Sequence, residues 1–215
     1  MRSFESCDIR WQAILLIGPT GSGKTPIGQL LEARGLGERR CLHFDFGRAL
    51  RASVEEQAGP LTVVERDFVS VLLRTGALLD DAHFPIAGKL LVDTVTRRNA
   101  DGDTLIVLNG LPRHVGQARA VETVVDMRAV ISLECEPEIA WERIRANTGG
   151  DRSERNDDTF EEVKQRLAVF RQMTMPLLEY YCARGVSILH ASVGKKTMPE
   201  ETYREIETQW SRIVA

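Results

Sequence analysis

The stretch Gly18-Pro19-Thr20-Gly21-Ser22-Gly23-Lys24-Thr25 limits the possible folds of this chain more than any other. It fits the spacing GxxxxGK[ST] at every fixed position and follows a short apolar run, residues 13–17, that stops at a glycine. Such a run reads as a strand buried on both faces of a parallel sheet. Residues 24–34 carry a helical pattern. A glycine-rich turn between that strand and that helix lets backbone N–H groups curl inward onto phosphate, while the helix offers its positive dipole end to the same charge. All eight residues are therefore expected to bind ATP. Lys24 is expected to reach the β- and γ-phosphates, and Thr25 to offer its hydroxyl to Mg²⁺, which offsets charge during transfer.

The rest of the chain continues the alternation. Further strands are expected over 41–45, 104–108, 128–133 and 187–190. Helices are expected over 47–56, 62–74, 84–98, 115–124, 137–146, 159–184 and 199–213. This is an α/β pattern, and with the phosphate turn it predicts the three-layer P-loop NTPase fold, a five-stranded parallel sheet with helices on both faces and ligands at the carboxyl ends of the strands. A length of 215 residues suits a single domain, with core segments 10–45, 81–146 and 159–215. Two segments break the alternation. Residues 46–80 are helical with no strand between. Residues 147–158 include TGGDRSERNDD, too polar and glycine-rich to pack a core, and read as a surface loop or a short lid over ligand.

Composition narrows the partners. The net charge of −3 gives no general attraction to nucleic acid polymers or anionic lipid, so basic residues must act locally, on a small anionic ligand. The four cysteines, Cys7, Cys41, Cys135 and Cys182, include no CxxC or Cys/His pairing, which argues against a zinc site or a disulfide framework. The first residues are too polar for a signal peptide, and no apolar run approaches the roughly 18 residues of a membrane span. The chain is expected to be cytoplasmic, away from membranes, and monomeric.

Beyond the phosphate turn, the order of segments resembles the adenylate kinase family of nucleoside monophosphate kinases, from about Ile14 to the C-terminus. HFDFGRALR is similar to the family segment after its second strand. That likeness implies that Phe46 lies beside the acceptor base and Arg51 binds the acceptor phosphate. Asn109-Gly110-Leu111-Pro112-Arg113 with Gln117 resembles the family's DGFPR segment and its base-reading glutamine. RNDDTFEEVKQRL resembles RxDDxxExxxxRL, the stretch after the family's lid. The likeness implies that Arg113, Arg155 and Arg166 close with Lys24 on the transferring phosphoryl, that Asp157 and Asp158 anchor the lid, and that Arg143 flanks the ATP base. Residues 46–80 would then be the helical monophosphate-binding insertion and 147–158 the lid. Independently of the family, arginine suits this work: a planar, permanently charged guanidinium holds two phosphate oxygens at once, and phosphoryl transfer depends on aligning two phosphates among cations.

The match is incomplete. The family aspartate that holds a water on the metal is Asn109 here, Arg48 replaces an acidic residue, and Asn147 stands where another phosphate-binding arginine is usual. Gln117 favours adenine, because an amide donates and accepts together against one base edge. Three functions follow: transfer from ATP to a nucleoside monophosphate, with AMP favoured; a P-loop kinase for another small acceptor; or a nucleotide-binding regulator with little turnover. Arg51 and Arg113 favour the first, since a hydroxyl acceptor carries no phosphate for them to hold.

Overall fold

The computed structural model describes residues 10–56, 59–148, 150 and 159–214. Five strands form one parallel sheet: β1 (Trp11–Ile17), β2 (Cys41–Asp45), β3 (Leu105–Asn109), β4 (Val125–Glu134) and β5 (Ser187–Ser192), in the order β2-β3-β1-β4-β5. Among the described residues nine α-helices join them: α1 (Lys24–Arg34), α2 (Phe46–Glu55), α3 (Val63–Thr75), α4 (Phe84–Arg97), α5 (Val115–Val121), α6 (Pro137–Arg145), α7 (Phe160–Val169), α8 (Pro176–Cys182) and α9 (Pro199–Val214).

Side-chain alternation along the strands sorts the core into two layers. Ala13, Leu15 and Ile17 of β1, with Leu42, Phe44, Ile106 and Leu108, pack beneath α2, α3, α4, α5 and α8. Ile14 and Leu16, with Leu105, Val107, Ala129 and Ile131, pack against α1 and α9, where Leu31, Ile206 and Trp210 close the layer. The sheet is thus covered on both faces, as its continuous apolar strands require. The expected three-layer arrangement is what the chain adopts. No helix among the described residues is long and apolar enough to cross a membrane. Cys41, Cys135 and Cys182 are free thiols, and burial pushes the Cys41 thiol up to about 12.

Several boundaries differ from expectation, most by one or two residues, and the three larger differences have identifiable reasons. The helix expected over 159–184 is broken. After α7 the chain makes one wide π turn, Phe170–Thr174, with Met175 N donating to Phe170 O at 3.0 Å, and then restarts at Pro176. Pro176 lacks an N–H and its ring collides with the carbonyl four residues back, so a regular α-helix cannot run through it. Strand β4 starts at Val125, three positions before the expected start, because Val125 and Met127 face inward while Asp126 and Arg128 face out. Helix α5 ends at Val121, three residues before its expected limit at 124, so that the chain can turn into β4.

Register sets the edge on which the loops gather. Asp45 pairs with Asn109, and Leu16 with Asn109, so the ends of β2, β3 and β1 lie in one row. The switch point beside β1, with β3 and β2 on one side and β4 and β5 on the other, is where a crevice opens in sheets of this kind.

Candidate functional site

The phosphate turn leaves β1 at Gly18. A methyl group built on Gly18 would lie 2.5 Å from Ser22 Oγ and 3.0 Å from Leu133 Cβ, so only glycine lets the loop fold this tightly. Ser22 Oγ is buried and has no hydrogen-bond partner among the described residues. Helix α1 begins with no side-chain cap and no acidic residue in its first turn, so its N–H groups and dipole are not offset by the protein's own anions. Pro26, buried at the third helical position, lacks an N–H that would have no intrahelical acceptor there. Pro19, Thr20, Gly21 and Gly23 complete the cradle. Lys24 Nζ folds over it, donating to Gly18 O at 2.6 Å and Pro19 O at 2.8 Å. These are the groups an anion needs: inward N–H donors, a helix N-terminus and a flexible ammonium.

Beside the cradle lies a polar cluster built from three elements. Thr25 Oγ1 donates to Asp45 Oδ2 at 3.0 Å. Asn109 Nδ2 lies 3.0 Å from the same Asp45 oxygen, 3.2 Å from Thr25 Oγ1 and 3.4 Å from His43 Nε2. Asn109 is 4 % exposed. His43 lies against α1 at Gly28, where an added methyl would fall 2.3 Å from its Nε2, and burial lowers the imidazole below its ordinary pKa. Asp45 was not singled out from sequence. The available signal was its place as the last residue of an expected strand, on the edge where ligands bind.

Among the described residues no group of three or more His, Cys, Asp or Glu side chains is placed to hold a metal. Mg²⁺ does not need one: it takes hard oxygen donors, commonly one or two carboxylates with waters and substrate phosphates. The Thr25 hydroxyl and the Asp45 carboxylate, adjoining the cradle, fit that donor set. Asn109, the residue expected to act on the metal through a water, adjoins both, with its Nδ2 bonded to Asp45 Oδ2 and Thr25 Oγ1.

The residues expected on the acceptor side start from adjacent strand ends. Phe46 opens α2, is 5 % exposed, and places its ring 6.2 Å from Phe44 within the core. Arg51, in the second turn of α2, and Arg113, after β3, are exposed. A methyl built on Gly110 would come within 3.8 Å of Phe46 Cβ and 4.0 Å of Arg113 Nη2, so the start of α2 and the Arg113 loop adjoin. Gln117 is 1 % exposed; its Oε1 accepts from Arg113 N at 2.8 Å and its Nε2 donates to Leu79 O at 2.8 Å. In this structure the amide is committed to backbone, and it orients the Arg113 loop.

Arg143 is likewise drawn inward. At 5 % exposure it donates from Nε to Gly21 O at 3.1 Å and from Nη1 to Gly194 O and Thr197 O, both at 2.9 Å. It ties the phosphate loop to the loop between β5 and α9. A cleft of about 630 Å³ borders both loops through Pro19 and Gly194, with Leu133, Cys135, Phe170 and Met175 among its walls.

Asn147 ends α6 in the left-handed region, at φ 44, with its N–H donating to Ile144 O at 3.1 Å. Asparagine tolerates that conformation better than arginine would, which accounts for it as a helix terminator. Arg166 lies half-buried on α7. Arg155, Asp157 and Asp158 lie outside the described residues.

A family model described as Adenylate kinase matches residues 16–186. The chain is similar to a protein named adenylate kinase from Synechococcus sp. (strain WH7803), 34% identical over 183 residues, covering 82% of this chain and 88% of that one. It is similar to another of that name from Parvibaculum lavamentivorans, 32% identical over 204 residues, covering 91% of this chain and 90% of the relative.

Proposed function

The chain belongs to the adenylate kinase family, and from that premise we propose that it transfers the γ-phosphoryl group of ATP to AMP, giving two molecules of ADP. The observation that carries the reading is the placing of the lysine-bearing phosphate cradle beside two exposed arginine-bearing segments, α2 with Arg51 and the loop with Arg113, at the ends of neighbouring strands.

Each group then has a task set by its chemistry. The cradle residues and the α1 N-terminus hold the ATP phosphates, and Lys24 leaves the Gly18 and Pro19 carbonyls to meet the β- and γ-oxygens. Arg143 fixes the cradle against the Gly194 loop, flanking the nucleoside end of ATP. Arg51 and Arg113 hold the acceptor phosphate in line with the donor, with Gln117 steadying the Arg113 backbone and Phe46 walling the base side from within the core. Residues 46–80 act as the acceptor-binding insertion. Residues 147–158 act as a lid that carries Arg155, Asp157 and Asp158 and, with Arg166 from α7, excludes water around the phosphates. Thr25 and Asn109, the latter through water, would hold Mg²⁺, which would supply charge neutralisation for the phosphates when bound. The protein works as a cytoplasmic monomer on these small substrates.

One observation favours a second reading, a different phosphate-bearing acceptor. The Gln117 amide is already satisfied by backbone, so reading adenine requires it to exchange its bond to Leu79 O. Steady-state kinetics on Arg51→Ala and Arg113→Ala separate the cases. With AMP as substrate, both variants are expected to raise the acceptor KM and lower kcat with the KM for ATP little changed. If the KM for ATP alone rose, the acceptor site would lie elsewhere. If the parent turned over another monophosphate at least as well as AMP, the choice of AMP would be withdrawn.

A further inference from the structure

The Asp45 carboxylate divides its two oxygens between two jobs. Oδ1 accepts from Arg48 N at 3.0 Å and caps α2. Oδ2 is turned the other way, to the Thr25 hydroxyl and the Asn109 amide. The cap accounts for one oxygen, and serine or asparagine would cap as well. It does not account for a charged oxygen directed at the phosphate-loop threonine.

The charge itself is the second observation. Asn109 is a neutral amide, and among the described residues that meet at this point Asp45 is the one carboxylate, its Oδ2 bonded by Thr25 and Asn109. The cluster therefore carries one negative charge beside a cradle built for phosphate. Left alone, that charge would repel the triphosphate at short range, where partial burial weakens screening. A divalent cation between them turns the repulsion into attraction. P-loop enzymes hold Mg²⁺ between the loop Ser or Thr and a carboxylate on a neighbouring strand. Here the residue at the end of β3 is the amide Asn109, and its register partner on β2 is the carboxylate Asp45.

We propose that Asp45 is the carboxylate that holds the water shell of nucleotide-bound Mg²⁺, and that Asn109 positions it by donating to Oδ2. The assignment rests on the nucleotide-binding reading above. It makes the metal site of this chain a relocated one: the charge sits on the strand that leads into the acceptor-side helix, so metal binding and the start of α2 share one side chain. Asn109 is then the wrong place for a second carboxylate, because Asn109→Asp would set two anionic oxygens against each other across the 3.0 Å contact.

Calorimetric titration with the β,γ-imido analogue of ATP, in excess Mg²⁺ and in excess chelator, gives a metal enhancement of nucleotide affinity that needs no turnover. Asp45→Asn is expected to cut that enhancement about 10-fold to 100-fold, the usual range for outer-shell partners of a metal, with chelator-phase affinity unchanged or tighter. The exchanged pair Asp45→Asn with Asn109→Asp restores the complementarity and is expected to recover the enhancement to within about 3-fold of the parent. Asp45→Ser, which keeps the helix cap, guards against loss of fold and should behave like Asp45→Asn. Parental metal enhancement in Asp45→Asn or Asp45→Ser would overturn the assignment and leave Asp45 a helix cap. Failure of the exchanged pair to improve on Asp45→Asn would also overturn it. If the parent bound no analogue in either condition, the nucleotide-binding reading itself would fall.

Discussion

Arg143→Met tests whether the guanidinium behind the phosphate loop is a structural tie, beyond its proposed place beside ATP. Methionine keeps much of the buried stem but removes every donor. Three short bonds are lost, to Gly21 O, Gly194 O and Thr197 O, from a side chain 5 % exposed. Hydrogen bonds to a charged group contribute about 1.5–3 kcal/mol, and we discount each to about 1 kcal/mol because loop carbonyls recruit water once the side chain is gone. The total is about 3 kcal/mol, which for a domain of this size lowers Tm by about 6–12 °C. Thermal unfolding of the parent and variant without added nucleotide reads this directly. Arg143→Lys should recover little, since one ammonium cannot span carbonyls on two loops. A Tm for Arg143→Met within about 2 °C of the parent would refute the tie.

Two further outcomes follow from the same site. Lys24→Ala should reduce kcat by about 1,000-fold or more while lowering Tm by only a few degrees, about the worth of its two carbonyl bonds; undiminished turnover would remove Lys24 from the transfer step. His43 gives a pH dependence of stability. Burial holds its folded pKa below the unfolded value of about 6.5, so its contribution is present above that pH and is lost as pH falls through the folded pKa, where the unfolded chain binds the proton first. Urea unfolding of His43→Gln at pH 7.5, 6.5 and 5.5 should show a smaller loss on acidification than the parent; an identical loss would show that His43 is not the group responsible.

What could be read in the sequence was whatever has a local signature. The apolar run before Gly18 and the glycine spacing fixed the cradle, and Cys41–Asp45 and Lys24–Arg34 fall where their patterns place them. The start of α3 was legible because Thr62 and Glu65 form a reciprocal capping box, a pattern written in four residues. The features that escaped depend on partners distant in sequence. Arg143 and Gln117 bond backbone carbonyls, which carry no residue signature, so their engagement with Gly21, Gly194 and Leu79 shows only in three dimensions. Asp45 took on meaning through register, because only the pairing of β2 with β3 brings it to Asn109. Pro176 is itself a local signal against a single long helix, since it lies well inside the range 159–184.

The most direct measurement of the central claim is ³¹P NMR of the protein with ATP, AMP and Mg²⁺, followed over time. The account predicts that the ATP and AMP signals fall together in equal amounts while ADP rises by twice as much, with no inorganic phosphate formed. ADP and inorganic phosphate appearing while AMP is untouched would show that water takes the phosphoryl group, and spectra that do not change would show no transfer; either result would contradict the account.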